Sequence, residues 1–265
     1  YNNMGGALKE QGKLVEAIEA YKKAIFIKPD FSEAYYNVGG ALYAQSKLEE
    51  AIEAYKKAIS IKPDYAEAYL NMGVALQEQG KLDAAIKAFR KALSIKPDYA
   101  ELYLNIGIAR REQGKLEEAI EAYNKALAIK PDYALAHRHL STIKQYTMVD
   151  EHFYRLEELY NRDNLSDVEK CHLNFALAKI YEDIGLLDKA FMHLSNGNFL
   201  RKKELNYSIE QDKNLFKRLK KAQPYQLKNS LIKEENFNAP RPIFIVGMPR
   251  SGTTLVEQII SSHST

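Results

Sequence analysis

The residues best suited to chemistry lie in a short segment near the end of the sequence. Residues 247–254 read Gly-Met-Pro-Arg-Ser-Gly-Thr-Thr and follow an apolar β-branched run, Ile243 to Val246, which predicts a buried strand. An amphipathic helix is predicted from about Thr253. A strand, a glycine-containing loop and a helix N-terminus together form an anion-binding cradle, because backbone N–H groups converge there and the helix dipole adds partial positive charge.

The side chains of this loop narrow the choice of anion. Two glycines separated by four residues give the outline of a Walker loop, but Thr253 stands where that loop needs a lysine. No loop side chain therefore spans the β- and γ-phosphates of a nucleoside triphosphate. Arg250 is the fixed cation, beside the hydroxyls of Ser251, Thr253 and Thr254. A guanidinium can clamp a compact group such as a phosphosulfate through paired hydrogen bonds.

Pro-Arg-Ser-Gly-Thr-Thr after a strand, followed by a helix and Ser-His, resembles the donor loop of sulfotransferases. The resemblance covers only about residues 241–263 and is strongest to the tyrosylprotein-sulfotransferase-like branch, which includes bacterial proteins with tetratricopeptide repeats ahead of the catalytic domain. It implies that 3′-phosphoadenosine-5′-phosphosulfate is the sulfuryl donor and that no metal is needed. The implied contact positions are Gly247, Arg250, Ser251, Gly252, Thr253 and Thr254.

Sulfuryl transfer to an acceptor hydroxyl would also need a general base. The resemblance places that base downstream of Thr265, so no catalytic residue is assigned. Glu257 and His263 are the titratable side chains after the loop, and an exposed helix position explains each of them better. Another P-loop kinase or nucleotidase, or a purely structural strand–turn–helix, remains an alternative for the loop.

The first half of the sequence repeats with a period of 34 residues. A Lys-Leu pair, a proline, a glycine and an alanine all keep this step. The marker positions are Lys13, Lys47, Lys81 and Lys115; Pro29, Pro63, Pro97 and Pro131; Gly5, Gly39, Gly73 and Gly107; Ala17, Ala51, Ala85 and Ala119. This period is the signature of the tetratricopeptide repeat (TPR), a helix pair that stacks into a solenoid. The sequence therefore predicts an all-α TPR superhelical solenoid, followed by the first strand–loop–helix of an α/β, P-loop-like sulfotransferase domain.

Several markers have a predicted structural role. The early glycine and the mid-repeat alanine let the paired helices approach closely, and Gly12, Gly80 and Gly114 can turn the chain out of the first helix. An aspartate followed three residues later by glutamate predicts a capping-box-like helix start. This pattern occurs at Asp30, Asp64 and Asp98, but not at Asp132. Arg110 occupies a position that is leucine in the other repeats, so either the packing is looser there or the arginine snorkels.

One position of the first helix is asparagine in every repeat: Asn3, Asn37, Asn71 and Asn105. First helices line the concave groove in this architecture, and an amide both donates and accepts hydrogen bonds. A spaced row of amides can therefore bind the backbone of an extended peptide. The row resembles the asparagine ladder of O-linked N-acetylglucosamine transferases. Alternatively, asparagine simply solvates this face.

The remaining sequence suggests the domain organisation. Residues 1–136 contain four repeats, the first incomplete. Residues 137–235 stay helical in pattern, with a degenerate repeat near 171–204, and residues 236–242 read as a linker to the start of a sulfotransferase domain at 243–265. Ser166 followed by Glu169 predicts a helix start. Because the sequence begins partway through a repeat and stops just after the donor loop, we expect a fragment truncated at both ends.

Composition favours an ordinary soluble protein. The 265 residues are 46% apolar and 28% charged, with a formal net charge of +3, so no nucleic-acid partner is indicated. No apolar run reaches membrane-spanning length. A single cysteine, Cys171, fits a reducing and hence cytoplasmic location. His137 and His139 lie two residues apart, on different sides of a helix, so we expect no metal site there.

These features together predict the N-terminal part of a sulfotransferase whose solenoid binds a protein or peptide acceptor. The fragment alone is not expected to be catalytic. The alternative is a non-enzymatic TPR scaffold for protein–protein interaction, in which the terminal motif has no catalytic role.

Overall fold

The computed structural model describes residues 1–229, with side chains described through Lys221. The described part of the chain contains only α-helices, which confirms the predicted all-α solenoid. Residues 1–207 form one compact unit and a second unit begins at Ser208. The helices are α1 (Asn2–Glu10), α2 (Leu14–Ile27), α3 (Ser32–Ala44), α4 (Leu48–Ile61), α5 (Ala66–Glu78), α6 (Leu82–Ile95), α7 (Ala100–Glu112), α8 (Leu116–Ile129), α9 (Ala134–Ile143), α10 (Glu151–Tyr160), α11 (Asp167–Asp183), α12 (Leu187–Glu204) and, in the second unit, α13 (Ile209–Asn229).

Stacked helix pairs build the first unit. From α1 to α9, each helix packs on the next one along the chain, and first helices of neighbouring repeats also touch: α1 with α3, α3 with α5, and α5 with α7. These contacts place the first helices on the inner, concave side of the stack and the second helices α2, α4, α6 and α8 on the outer side. The core is a series of local clusters rather than one centre, as expected for a repeat array.

A glycine facing an aromatic ring brings each of the first four helix pairs together. A Cβ added to Gly107 would lie 2.3 Å from Tyr123 Cε1, and one added to Gly73 would lie 2.4 Å from Phe89 Cε1. The corresponding rings over Gly5 and Gly39 are Tyr21 and Tyr55. All four rings are almost completely buried. The predicted close approach of the paired helices is therefore confirmed.

The turn out of each of these first helices uses a positive φ angle, as predicted. Gly12, Gly80 and Gly114 have φ between 73° and 75°, and Ser46 adopts φ 60° at the equivalent position. Glycine adopts this conformation without a Cβ penalty, whereas serine adopts it at some cost. The fold therefore keeps the same turn in the second repeat despite the substitution.

The capping boxes predicted at the aspartates are wrong. α3, α5 and α7 begin one residue later than an aspartate cap would require, and their N-cap residues Phe31, Tyr65 and Tyr99 make no side-chain capping bond. In each case the preceding lysine covers the aromatic ring; for Lys96 and Tyr99 the ammonium lies 4.4 Å from the ring centroid. A cation–π contact of about 0.5–1 kcal/mol thus accompanies the turn where a side-chain cap was expected.

The helix spacing continues past the region in which the sequence markers are regular. α3, α5, α7 and α9 begin 34 residues apart, and α10 begins 35 residues after α8. Residue 136, proposed above as the end of the four repeats, lies within α9. Within α9–α10, Ser141 and Glu157 replace the glycine and the ring. The period is hidden here because its marker residues have changed.

The last helix pair of the first unit, α11 and α12, spans the segment proposed as a degenerate repeat. Here the ring lies on the first helix and the glycine on the second: a Cβ on Gly197 would lie 3.2 Å from Phe175 Cε1. Ser166 caps α11 with a full capping box, as predicted, because its side chain accepts from the Glu169 N–H while the Glu169 carboxylate accepts from the Ser166 N–H.

Candidate functional site

The asparagine row lies along the first helices on the concave side. Asn37 Nδ2 donates to Asn2 Oδ1 at 3.0 Å, and Asn71 Nδ2 donates to the Tyr36 hydroxyl at 2.9 Å. Asn37 and Asn71 are half-buried. Their amide nitrogens therefore tie neighbouring first helices together, a role the sequence did not suggest. In both bonds the amide nitrogen is the donor, and the Oδ1 atoms of Asn37 and Asn71 are acceptors suited to backbone N–H donors.

A cavity of about 380 Å³ opens beside the first members of the row. Asn3 and Asn37 line it, together with Lys9, Glu10 and Glu33. Asn3 is exposed, whereas Asn105 is half-buried in α7. The structure thus places all four row residues on successive first helices, and a cavity lies where Asn3 and Asn37 face each other.

His139 continues the row in α9, at the next 34-residue step after Asn105. Its ring stacks on Tyr123 with centroids 5.7 Å apart, and Arg111 Nη1 donates to His139 Nδ1 at 3.3 Å. Burial, together with the nearby Arg111, lowers the pKa of His139 to about 4. The histidine is therefore neutral at pH 7 and accepts from the arginine. The period alone could have identified this residue.

Further along, Arg138 Nη1 donates to His172 Nδ1 at 3.2 Å, and its guanidinium lies 4.5 Å from the Phe175 ring centroid. Burial, followed by the charge of Arg138, lowers the pKa of His172. Two guanidinium groups and two neutral imidazoles thus make this end of the concave surface basic.

The middle of the concave surface is acidic. Tyr43 donates to Glu78, and Gln77 Nε2 donates to Glu112 Oε1 at 3.1 Å, each bond joining one first helix to the next. Burial, followed by the bond to Glu78, raises the pKa of Tyr43 to about 12. Both the acidic and the basic parts consist of side chains that already bond across repeats, so the surface is ordered before any ligand binds.

A buried hydrogen-bonded chain joins α9, α10 and the segment between them. His137 Nε2 bonds the Pro131 carbonyl at 2.9 Å, His137 Nδ1 lies 2.8 Å from His152 Nε2, and His152 Nδ1 lies 2.6 Å from the Tyr146 hydroxyl. A carbonyl only accepts, so neutral His137 donates to it and accepts from His152, which accepts from Tyr146. Burial, followed by the neighbouring His137, lowers the pKa of His152 to about 3.

The two histidines considered as metal ligands therefore have different partners: His137 bonds His152, and His139 bonds Arg111. Among the described residues there is no group of three or more His, Cys, Asp or Glu side chains placed to hold a metal ion. The described helices also include none that is long and apolar enough to cross a membrane.

The sulfotransferase-like loop residues Gly247, Arg250, Ser251, Gly252, Thr253 and Thr254 lie outside the described residues, as do the proposed strand at 243–246 and the linker at 236–242. The chemistry of the donor set fits a phosphosulfate: one guanidinium, three hydroxyls and two glycines.

Sequence comparison finds family matches in the repeats and in the C-terminal segment. Residues 5–46 and 39–80 match the family described as TPR repeat, and residues 64–132 match the tetratricopeptide repeat family. Residues 242–265 match the sulfotransferase family. The matches support a fusion of TPR repeats with a sulfotransferase-family sequence.

Individual relatives match parts of the chain. A protein of Aquifex aeolicus (strain VF5), described as uncharacterized, is 36% identical over 122 residues, which are 46% of this chain and 16% of that protein. The chain thus spans about one sixth of that relative's length. The crystal structure of MamA is 25% identical, with a TM-score of 0.51, over 78% of this chain and 99% of MamA. A structure of Pseudomonas aeruginosa pilF is 19% identical, with a TM-score of 0.57, over 82% of this chain and 96% of that one. The likeness to pilF shows the fold alone.

Proposed function

We propose that this chain is the N-terminal part of a sulfotransferase that uses 3′-phosphoadenosine-5′-phosphosulfate and whose TPR groove binds a protein or peptide acceptor. The observation that carries the proposal is the sulfotransferase-family match at residues 242–265, on the same chain as a peptide-sized concave surface. Bound at the loop, the donor would supply the sulfuryl group. Arg250 would balance its negative charge, and the hydroxyls of Ser251, Thr253 and Thr254 would donate hydrogen bonds to it.

The concave surface supports the second part of the proposal. Amide oxygens of Asn37 and Asn71 can accept from successive backbone N–H groups of an extended chain, irrespective of its side chains. The acidic and basic parts of the groove then give the peptide a preferred direction. Cytoplasmic location, independence from nucleic acid and independence from membranes stay part of this proposal.

Donor binding can be tested by calorimetric titration of adenosine 3′,5′-bisphosphate into the protein, including any sequence that continues past Thr265 in its gene. We expect micromolar affinity that Arg250→Ala abolishes and that ATP does not reproduce. Arg241→Ala, six residues before the loop, is the matched control and should bind normally. Equal binding of ATP, or none of the bisphosphate, would contradict the sulfotransferase proposal.

A non-enzymatic scaffold is the second candidate function. It is favoured by the described residues, which consist of stacked repeats, and TPR repeats generally mediate contacts between proteins. The two candidates differ in one measurable respect: a scaffold binds its partner with no dependence on the nucleotide. A partner whose affinity is unchanged by adenosine 3′,5′-bisphosphate, in a protein that does not bind this nucleotide, would support the scaffold.

A further inference from the structure

The outer side of the solenoid has cavities between second helices at three of its steps. Each cavity has two second helices as walls and the first helix between them as its floor. The cavity of α2, α3 and α4 measures about 520 Å³, that of α6, α7 and α8 about 210 Å³, and that of α8, α9 and α10 about 400 Å³.

We call the first cavity the outer pocket and define its apolar wall by Ile18, Ile25, Val38 and Leu42. The residue equivalent to Leu42 in the smaller α6–α8 cavity is Arg110, which lines it: Arg110 Nε lies 3.0 Å from Glu118 Oε2, and Nη1 donates to Gln113 Oε1 at 2.9 Å. The equivalent residue in the α8–α10 cavity is Lys144, which pairs with Asp150. Of the three cavities, the outer pocket is therefore the one with an apolar side chain at this position.

The apolar wall extends outwards along α2. Val15 is 62% exposed and Phe26 is 89% exposed. Both lie on the side of α2 that faces the outer pocket, since residues 15, 18, 22 and 26 share one helix face. The other repeats carry Glu49, Asp83 and Glu117 in place of Val15, and Ser60, Ser94 and Ala128 in place of Phe26. The first repeat alone of the four is apolar at both positions.

The rim of the outer pocket is charged. Glu49, Glu50 and Glu53 of α4 line one side, and Lys22 and Lys57 also contribute. Glu53 pairs with Lys56 at 2.7 Å, whereas Glu49 and Glu50 form no ion pair within residues 1–229. The rim is thus acidic at the N-terminal end of α4. A ligand that carries a basic side chain beside an apolar one complements it.

We propose that the outer pocket is a docking site for a basic amphipathic helix of a partner protein. One leucine- or phenylalanine-sized side chain of that helix enters between α2 and α4, its apolar face covers Val15 and Phe26, and a lysine or arginine meets Glu49 and Glu50. The site lies on the opposite side of the repeats from the acceptor groove and does not depend on the sulfotransferase proposal.

The test uses Leu42→Arg, which places in the outer pocket the residue found at the equivalent position of the smaller α6–α8 cavity. Gln45 and Glu50 stand where Gln113 and Glu118 stand, so the new guanidinium has both natural partners available and the variant should fold. The probe is a synthetic amphipathic helical peptide with leucines on one face and lysines on the other. A peptide with glutamate in place of each lysine is the control. Methyl NMR of the whole chain gives both the location of binding and the affinity.

We expect the lysine peptide to shift the methyl signals of Ile18, Ile25, Val38 and Leu42, and to bind at least tenfold more weakly to Leu42→Arg. Glu49→Gln should weaken binding several-fold, whereas Glu117→Gln, at the equivalent position of α8, should not. Arg110→Leu should create a second set of shifts at Leu93 and Ile106.

Three results would overturn the proposal. One is the absence of methyl shifts at the outer pocket, and another is equal binding of the glutamate peptide or of Leu42→Arg. The third is a concentration-dependent shift without peptide that Leu42→Arg removes, which would identify a second copy of this chain as the occupant.

Discussion

The contact between Gly107 and Tyr123 is the closest of the four glycine–ring contacts. Gly107→Ala would place a Cβ 2.3 Å from the ring, which is 0% exposed and cannot move away. We expect the overpacking to lower the free energy of unfolding by about 1–3 kcal/mol, despite the better helix propensity of alanine. Urea denaturation followed by circular dichroism measures this change.

Gly6→Ala is the matched control, because a Cβ there meets nothing within 4 Å. It should leave stability unchanged or raise it by up to about 1 kcal/mol through helix propensity. Equal effects of the two substitutions would show that the close helix approach is not held by the ring.

The buried histidine chain predicts a dependence of stability on pH. The folded-state pKa of His152, about 3, lies below the ordinary value of 6.5, so the unfolded chain binds more protons between these values. The stability that His152 contributes is therefore complete above about pH 6.5 and is lost as the pH falls toward 3. The largest slope for one histidine is about 1.4 kcal/mol per pH unit.

His152→Gln retains one acceptor for Tyr146 and donors for His137 but cannot be protonated. We expect urea midpoints measured from pH 7.5 to 5 to fall less steeply in this variant than in the parent. Carboxylates contribute equally to both proteins, so the difference in slope isolates His152. Parallel slopes would mean that this histidine is not held neutral.

At the scale of helices, only some of the helix starts could be predicted from the sequence. Ser166 and Glu169 form the capping box that their spacing predicts. Asp30, Asp64 and Asp98 do not cap their helices. In each case the aromatic residue that directly follows the aspartate is the N-cap, and the helix begins one residue after it. A local pattern does not reveal the lysine–aromatic contact that fixes this start.

Ser166→Ala should therefore destabilise α11. Loss of the cap should cost about 1 kcal/mol of the free energy of unfolding, and the pKa of Glu169 should rise because the bond from the Ser166 hydroxyl, the largest cause of its lowering, is lost. Hydrogen exchange of the first α11 amides, read by NMR, should become faster.

Ser32→Ala gives the matched control. Ser32 begins α3, whose N-cap is Phe31, and it makes no capping bond. Its replacement should leave the exchange of the first α3 amides unchanged. Similar acceleration at both helices would indicate that serine acts at these positions through something other than its cap.

The helix pair α9–α10 shows why the 34-residue period is no longer recognisable in the sequence there. A ring against a glycine is recognisable in a sequence, but the Ser141 and Glu157 that stand at these positions in α9–α10 carry no such signal. Tyr181 of α11 donates to Glu157 at 2.7 Å, so the repacking depends on the next helix pair. The concave asparagine row and its continuation at His139 follow from the 34-residue spacing, whereas the bonds between repeats depend on three-dimensional contacts.

At the scale of the whole molecule, residues 1–207 should fold without the rest of the chain. The four buried clusters of the described residues all lie within this range. A chain ending at Tyr207 should show the same urea midpoint as the 265-residue chain. Comparing the two transitions by circular dichroism tests this, and a clearly lower midpoint would show that later residues stabilise the solenoid.

The glycine–ring contacts of the first four repeats each lie inside one repeat. A tandem duplication in the coding sequence that copies one such repeat therefore inserts a unit that already carries its own internal fit, and an unequal crossover that deletes one removes a complete unit. Recombination can lengthen or shorten this array by whole steps while the surviving cores remain intact. The length of the concave surface can thus be inherited in steps of one repeat. Selection can act on that length independently of the sequence encoded beside the repeats.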